Sequence, residues 1–167
     1  MKRTREKYKH NKKHTVRFYQ NRVTQSEPII VAKVNGTNLN FIVDSGCEMS
    51  LLSKSATQQI PLDRFKNIRH EIYGCEGNPQ NVELCHLKFS IGNVLVDDIF
   101  GLCDMESSFK LFENKTGIPL HGIIGSSFLI PHKSIIDYDS YKFSFDEIPL
   151  LKFVEVANPK AKESIVQ

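Results

Sequence analysis

Nowhere in the 167 residues does an apolar run approach the length that would cross a bilayer as a helix, about 20 residues. The opening residues, MKRTREKYKHNKKH, lack the apolar segment that follows the charges of a secretory signal. The expectation is a cytoplasmic chain with no membrane insertion. Cysteine is sparse and unpaired in pattern: Cys47, Cys75, Cys85 and Cys103 form no CxxC, and no His stands at zinc-finger spacing from them. His86 follows Cys85 directly, which on a strand sends the two side chains to opposite faces. No structural metal and no cofactor are expected. In a reducing compartment the four read as free thiols acting as small hydrophobes, and this reading is favoured over a redox pair of Cys47 with Cys75.

What the chain does have is enough apolar sequence, 40% of its residues, to build the core of one domain. Its net charge of +3 is unevenly spread. Residues 1–22 hold nine of the 22 Lys and Arg and one of the 19 Asp and Glu, leaving 13 basic against 18 acidic residues in the rest. Residues 1–25 therefore read as a basic, disordered N-terminal tail, able at most to touch nucleic acid weakly through nonspecific charge attraction.

From Pro28 the pattern changes to short β-rich runs between turn signals. Pro28–Val34 is an apolar run, Asn35-Gly36 is a strong hairpin signal, and Leu39–Val43 is the returning strand. Ser53 is positioned to cap a short helix closed by Pro61. Asn67–Tyr73 and Val82–Ile91 form a longer hairpin with a glycine-rich tip, and Gly92-Asn93 leads to Val94–Val96 and Ile99-Phe100. Residues 104–116 are polar and poorly periodic and read as an insertion or exposed loop. Leu120–Gly125 reads as a buried strand, Ser126–Ile130 starts a short helix ended by Pro131, and Ile135–Phe145 makes a final hairpin. The order is mostly strands, which gives an all-β fold, a small closed barrel with one or two short helices.

The chemistry centres on Phe41-Ile-Val-Asp44-Ser45-Gly46-Cys47. Three apolar residues drive a strand into the core and end it with a carboxylate, a group costly to bury ionised without partners. A hydroxyl and a permissive glycine follow at once, so the backbone can turn sharply and aim N–H groups at that carboxylate.

Val43-Asp44-Ser45-Gly46 is similar to the Asp-Thr/Ser-Gly signature of the aspartic peptidases, and the order of the other elements resembles the retropepsin-like members of that family. The hairpin upstream, the glycine-rich hairpin at Tyr73–Gly77 and the apolar-apolar-glycine element Gly122-Ile-Ile-Gly125 all stand in the family's order, and the resemblance covers roughly Pro28 to Phe145. It implies a barrel of one lobe per chain, with a peptidase domain at 26–148 and a C-terminal extension at 149–167. Only one Asp-Ser/Thr-Gly is present, so the resemblance implies a homodimer in which two copies of Asp44 activate a water to hydrolyse a peptide bond of a peptide or protein substrate. Ser45, Gly46 and Gly125 are implied as active-site support, and Tyr73, Gly74, Cys75, Glu76 and Gly77 as the flap that closes on substrate. Cys47 and Glu48 stand where the retroviral members usually carry a small Ala and its successor. The alternative reading is a catalytically inactive module of the same fold that binds peptides or dimerises. His121 reads as a surface or interface side chain, since this mechanism needs no imidazole.

Overall fold

The computed structural model describes residues 12–19, 27–73 and 79–147. Among these described residues ten strands and two α-helices follow one another. The strands are β1 (Lys13–Arg17), β2 (Ile29–Val34), β3 (Thr37–Val43), β4 (Leu51–Ser53), β5 (Asp63–Tyr73), β6 (Pro79–Ile91) and β7 (Val94–Cys103). Then come α1 (Glu106–Thr116), β8 (Gly122–Ile124), α2 (Ser126–Leu129), β9 (Ile135–Asp137) and β10 (Lys142–Asp146).

Six strands close into a barrel in the order β2-β3-β8-β4-β7-β6, and the ring shuts where Ala32 and Lys33 of β2 pair with Ile91 and Ser90 of β6. Strand β5 extends from the barrel as the outer partner of β6. The β2–β3 hairpin turns at Asn35 and Gly36, with φ of 46° and 88°, the left-handed pair that a two-residue hairpin requires. The alternation of β2 and β3 places Ile30, Ala32, Val34, Leu39, Phe41 and Val43 inside.

Aromatic side chains fill the barrel. Phe41, Phe89, Phe100, Phe128, Phe143 and Phe145 are all buried to 0–1% exposure. Phe89 meets Phe41, Phe100 and Phe128 at ring separations of 5.6–6.4 Å. Burying each such ring contributes on the order of 1.5–3 kcal/mol, so this cluster is the main adhesive between the barrel, α2 and the β9–β10 hairpin.

Three sequence expectations are corrected here. Lys13–Arg17, placed in a disordered tail, is a strand: β1 pairs antiparallel with β10, Lys13 opposite Asp146 through Arg17 opposite Lys142, and buries Phe18 behind it. Two of its basic residues find partners there, Lys13 with Asp146 at 3.9 Å and His14 with Glu147 at 3.2 Å. Residues 106–116, read as a loop, form α1. It is exposed as expected, with none of its residues fully buried, and it ends at Gly117 in the left-handed conformation with Gly117 N–H bonded to Glu113 O. Ser53 is not a helix cap. It is buried in β4, and the helical turn that follows is a short 3-10 turn at Ser55–Gln58.

Candidate active site

Strands β3 and β8 run parallel, with Phe41 opposite Gly122 and Val43 opposite Ile124. The ladder makes one further bond, Asp44 N–H to Ile124 O at 3.0 Å, and then the two chains part. Asp44 therefore stands at the open end of a buried parallel pair, its backbone fixed and its side chain exposed. Gly46 donates its N–H to Asp44 Oδ1 at 2.8 Å, and Cys47 N–H reaches Asp44 O at 3.3 Å. The turn predicted after Asp44 thus aims an amide at the carboxylate and sets its rotamer.

The loop from Asp44 to Ser50 rests on Gly125 and the first turn of α2. Ser126 N–H donates to Cys47 O at 2.7 Å and Ser127 N–H to Glu48 O at 2.9 Å. Ser126 Oγ donates to Ser45 O at 2.9 Å, and Ser50 N–H donates to Ser127 Oγ at 2.9 Å. Gly125 N–H completes the set by donating to Ser50 Oγ at 3.2 Å. Such close approach needs a residue without a side chain. A Cβ on Gly125 would lie 2.4 Å from Met49 O and 2.8 Å from Cys47 O. Gly122 is confined in the same way against Leu51 O and the ring of Phe41.

Asp44, Ser45, Gly46 and Gly125 are thus brought together. Tyr73 ends β5 opposite Pro79 of β6, where it is 63% exposed and donates its hydroxyl to Glu71 of its own strand. Gly74, Cys75, Glu76 and Gly77 lie outside the described residues. Cys47 is half-buried and its thiol donates to Met49 O at 3.1 Å. Burial first, and the neighbouring Asp44 charge second, push its pKa up, which leaves a thiol where a nucleophile would need a thiolate. His121 is half-buried, its Nδ1 accepting Asn40 N–H at 3.0 Å.

Two groups at the site escaped the sequence reading. Met49, Leu51, Val82 and Cys103 form a second apolar cluster, with Cys47, Ile72, Leu84 and Ile123 packed on it. It joins the floor beside Asp44 to the half of the β5–β6 hairpin nearest Tyr73, where Ile72 pairs with Gln80. Val82 and Ile72 are legible as strand residues, but only the barrel's closure shows that they face the Asp44 loop and not the aromatic core. The other is Asp98, a carboxyl 1% exposed on β7, hidden in a run that reads as a break between two short strands. Among the described residues no three His, Cys, Asp or Glu side chains converge on a metal-sized site, and no helix is long and apolar enough to cross a membrane.

The arrangement offers one solvent-facing carboxylate, its rotamer set by the Gly46 amide, beside an apolar cluster that the loop shares with the β5–β6 hairpin. It can accept one proton from a water, and an amide hydrolysis needs a second acid beside it to protonate the carbonyl oxygen.

Comparison with known proteins bears on this geometry. The profile of a family described as aspartyl protease matches residues 30–128, more than half of the chain. Among solved structures, a retropepsin-like aspartic protease from Rickettsia conorii superposes with a TM-score of 0.52 at 19% identity, over 84% of this chain and 99% of that one. The retroviral protease-like domain of Ddi1 from Leishmania major superposes with a TM-score of 0.50 at 17% identity, over 72% and 88%. At these identities the likeness is one of fold, and the fold is retropepsin-like. No curated protein matches the sequence.

Proposed function

The chain belongs to the aspartyl protease family, and from that premise we propose that it is an aspartic endopeptidase acting as a homodimer, with Asp44 of each copy forming the catalytic pair. The observation that carries this reading is the Asp44 carboxylate itself, held by the Gly46 amide at the exposed end of β3 and backed by Gly125.

Two copies meeting about a two-fold axis bring Asp44 to its own symmetry mate, an isologous contact. Carboxyls held that close share one proton, a behaviour for which aspartic peptidases are the standing example. The ionised member takes a proton from a water lodged between them, and that water attacks the scissile carbonyl. The protonated member stabilises the carbonyl oxygen, and a proton then passes to the leaving amine. Ser45 and Gly46 hold the pair in register, and the β5–β6 hairpin with Tyr73 closes over an extended peptide.

The surface beside Ser45 supports the pairing. A cavity of about 360 Å³ opens there between Ser45, Ser126, Leu129 and Ile136, rimmed by Ile130, which is 75% exposed. A second copy approaching along the Asp44 side would cover it. Action in the cytoplasm on peptide or protein substrates, with weak nucleic-acid contact through the basic N-terminal residues, completes the proposal.

The test is incubation of the purified chain with a peptide library from acidic to neutral pH, beside Asp44→Asn. Cleavage by the wild type alone is expected. Equal cleavage by both would defeat the proposal, and a dimer without turnover would establish the inactive, peptide-binding or dimerising module instead.

A further inference from the structure

Asp98 lies on the inward face of β7 between Val96 and Phe100, a position that the barrel otherwise reserves for apolar side chains. Its Oδ1 accepts Ile99 N–H at 2.7 Å, while Oδ2 is buried with no hydrogen-bond partner among the described residues. The Ser50 hydroxyl lies close enough to act on the carboxyl as a hydrogen-bonding group. A buried carboxyl with an unsatisfied oxygen costs stability, and here it stands directly behind the loop that carries Asp44.

The neighbouring hydroxyls form a chain with a direction. Gly125 N–H donates to Ser50 Oγ, Ser127 Oγ–H donates to the same oxygen at 3.4 Å, and Ser50 N–H donates to Ser127 Oγ. With both lone pairs of Ser50 Oγ occupied, its own proton is free for Asp98. An ionised Asp98 accepts that proton and completes the chain. A protonated Asp98 must instead donate, and it competes with Ser127 for Ser50 Oγ.

We propose that Asp98 is a positioning residue for the Asp44 loop: its carboxyl, through Ser50 and Ser127, selects between two hydrogen-bonding arrangements of residues 44–50 according to whether it holds a proton. The kinetic consequence rests on the peptidase reading; the structural switch does not.

The environment puts that change within reach. Burial raises the carboxyl, Ile99 N–H and the Ser50 hydroxyl lower it, and the Asp97 charge raises it, with the balance at about 7. Asp97 points to the opposite face, where it pairs with His86 of β6. Across the ladder Asp98 faces Leu87, and towards the loop it faces Ser50, so Asp97 is the charged neighbour that acts on it among the described residues.

The experiment follows the backbone amides of Ser50 and Gly125 by NMR as pH is raised from 5 to 9, in the full chain and in Asp98→Asn. The two shifts are expected to titrate together near neutrality in the wild type and to stay flat in the variant, whose amide cannot ionise. In Ser50→Ala the Ile99 amide should still titrate while Gly125 no longer follows it. Flat Ser50 and Gly125 amides in the wild type, or the same titration in wild type and Asp98→Asn, would overturn the proposal. Where peptide is cleaved, kcat should carry a near-neutral inflection that Asp98→Asn loses, with KM little changed. Absence of cleavage alone would sink the peptidase reading and leave the amide titration to decide this one.

Discussion

A Cβ placed on Gly125 would stand 2.4 Å from the carbonyl oxygen of Met49, a backbone-to-backbone overlap that no side-chain rotation can relieve. The contact links β8 to the Asp44 loop, so Gly125→Ala must push the loop off its seat. The expected cost is about 1–3 kcal/mol of stability, read by chemical denaturation, together with loss of peptide cleavage. Wild-type stability and activity would show that the loop has slack which the packing denies.

Phe128 carries α2, a helix of one turn too short to stand by its own hydrogen bonds. The ring is fully buried, lies 4.0 Å from the His132 ring in a stacked arrangement and touches Phe89 and Phe145. Phe128→Ala should cost about 3–5 kcal/mol in urea denaturation. Cleavage should fall in the fraction that remains folded, because Ser126 and Ser127 lose the anchor that presses them against Cys47 and Glu48.

Asp98 gives stability a pH dependence of defined sign. Its folded-state pKa of about 7 lies above the ordinary value of 3.8, so the folded chain binds the proton more tightly than the unfolded one. The contribution is fully present below about pH 4 and is lost as pH rises towards 7, with a slope of at most about 1.4 kcal/mol per pH unit. Asp98→Asn should flatten that part of the stability profile. An unchanged profile would place the titration elsewhere.

Helix α1 is expected to be dispensable for folding. None of its residues is fully buried, and Leu111 is 72% exposed. Replacing residues 106–116 by a short glycine-containing turn should change stability by less than about 1 kcal/mol. A larger loss would mean that Phe109 and Phe112, only partly covered in the single chain, contribute more than their burial implies.

Local chemistry made part of this fold readable. Asn35-Gly36 announces its hairpin, Asp44 follows an apolar strand, and Gly122-Ile-Ile-Gly125 returns beneath it, each within a few residues of its own signal. Long-range pairing hid the rest. β1 looks like solvated basic sequence until Asp146 and Glu147, more than 130 residues away, supply its counter-charges. α1 shows only a weak apolar period, Phe109 and Phe112 on a half-buried face with Glu113 and Thr116, although Glu106 in its first turn and Lys115 before Gly117 are end signals of a helix. Asp97-Asp98 reads as an interruption of β7, yet the strand runs through it, with Asp97 paired to His86 on one face and Asp98 buried on the other. Residues 74–77, expected from the resemblance to belong to a flap, lie outside the described residues.

The sharpest measurement is a subunit-mixing assay, in which wild-type chain is equilibrated with an equal amount of Asp44→Asn and peptide cleavage is followed. Asp44 is exposed and Asn keeps an acceptor for the Gly46 amide, so the variant should fold and pair normally. If each active site takes one Asp44 from each copy, activity per wild-type chain should fall by about half, as mixed pairs are formed and are inactive. Activity per wild-type chain that stays constant on mixing would contradict the shared site.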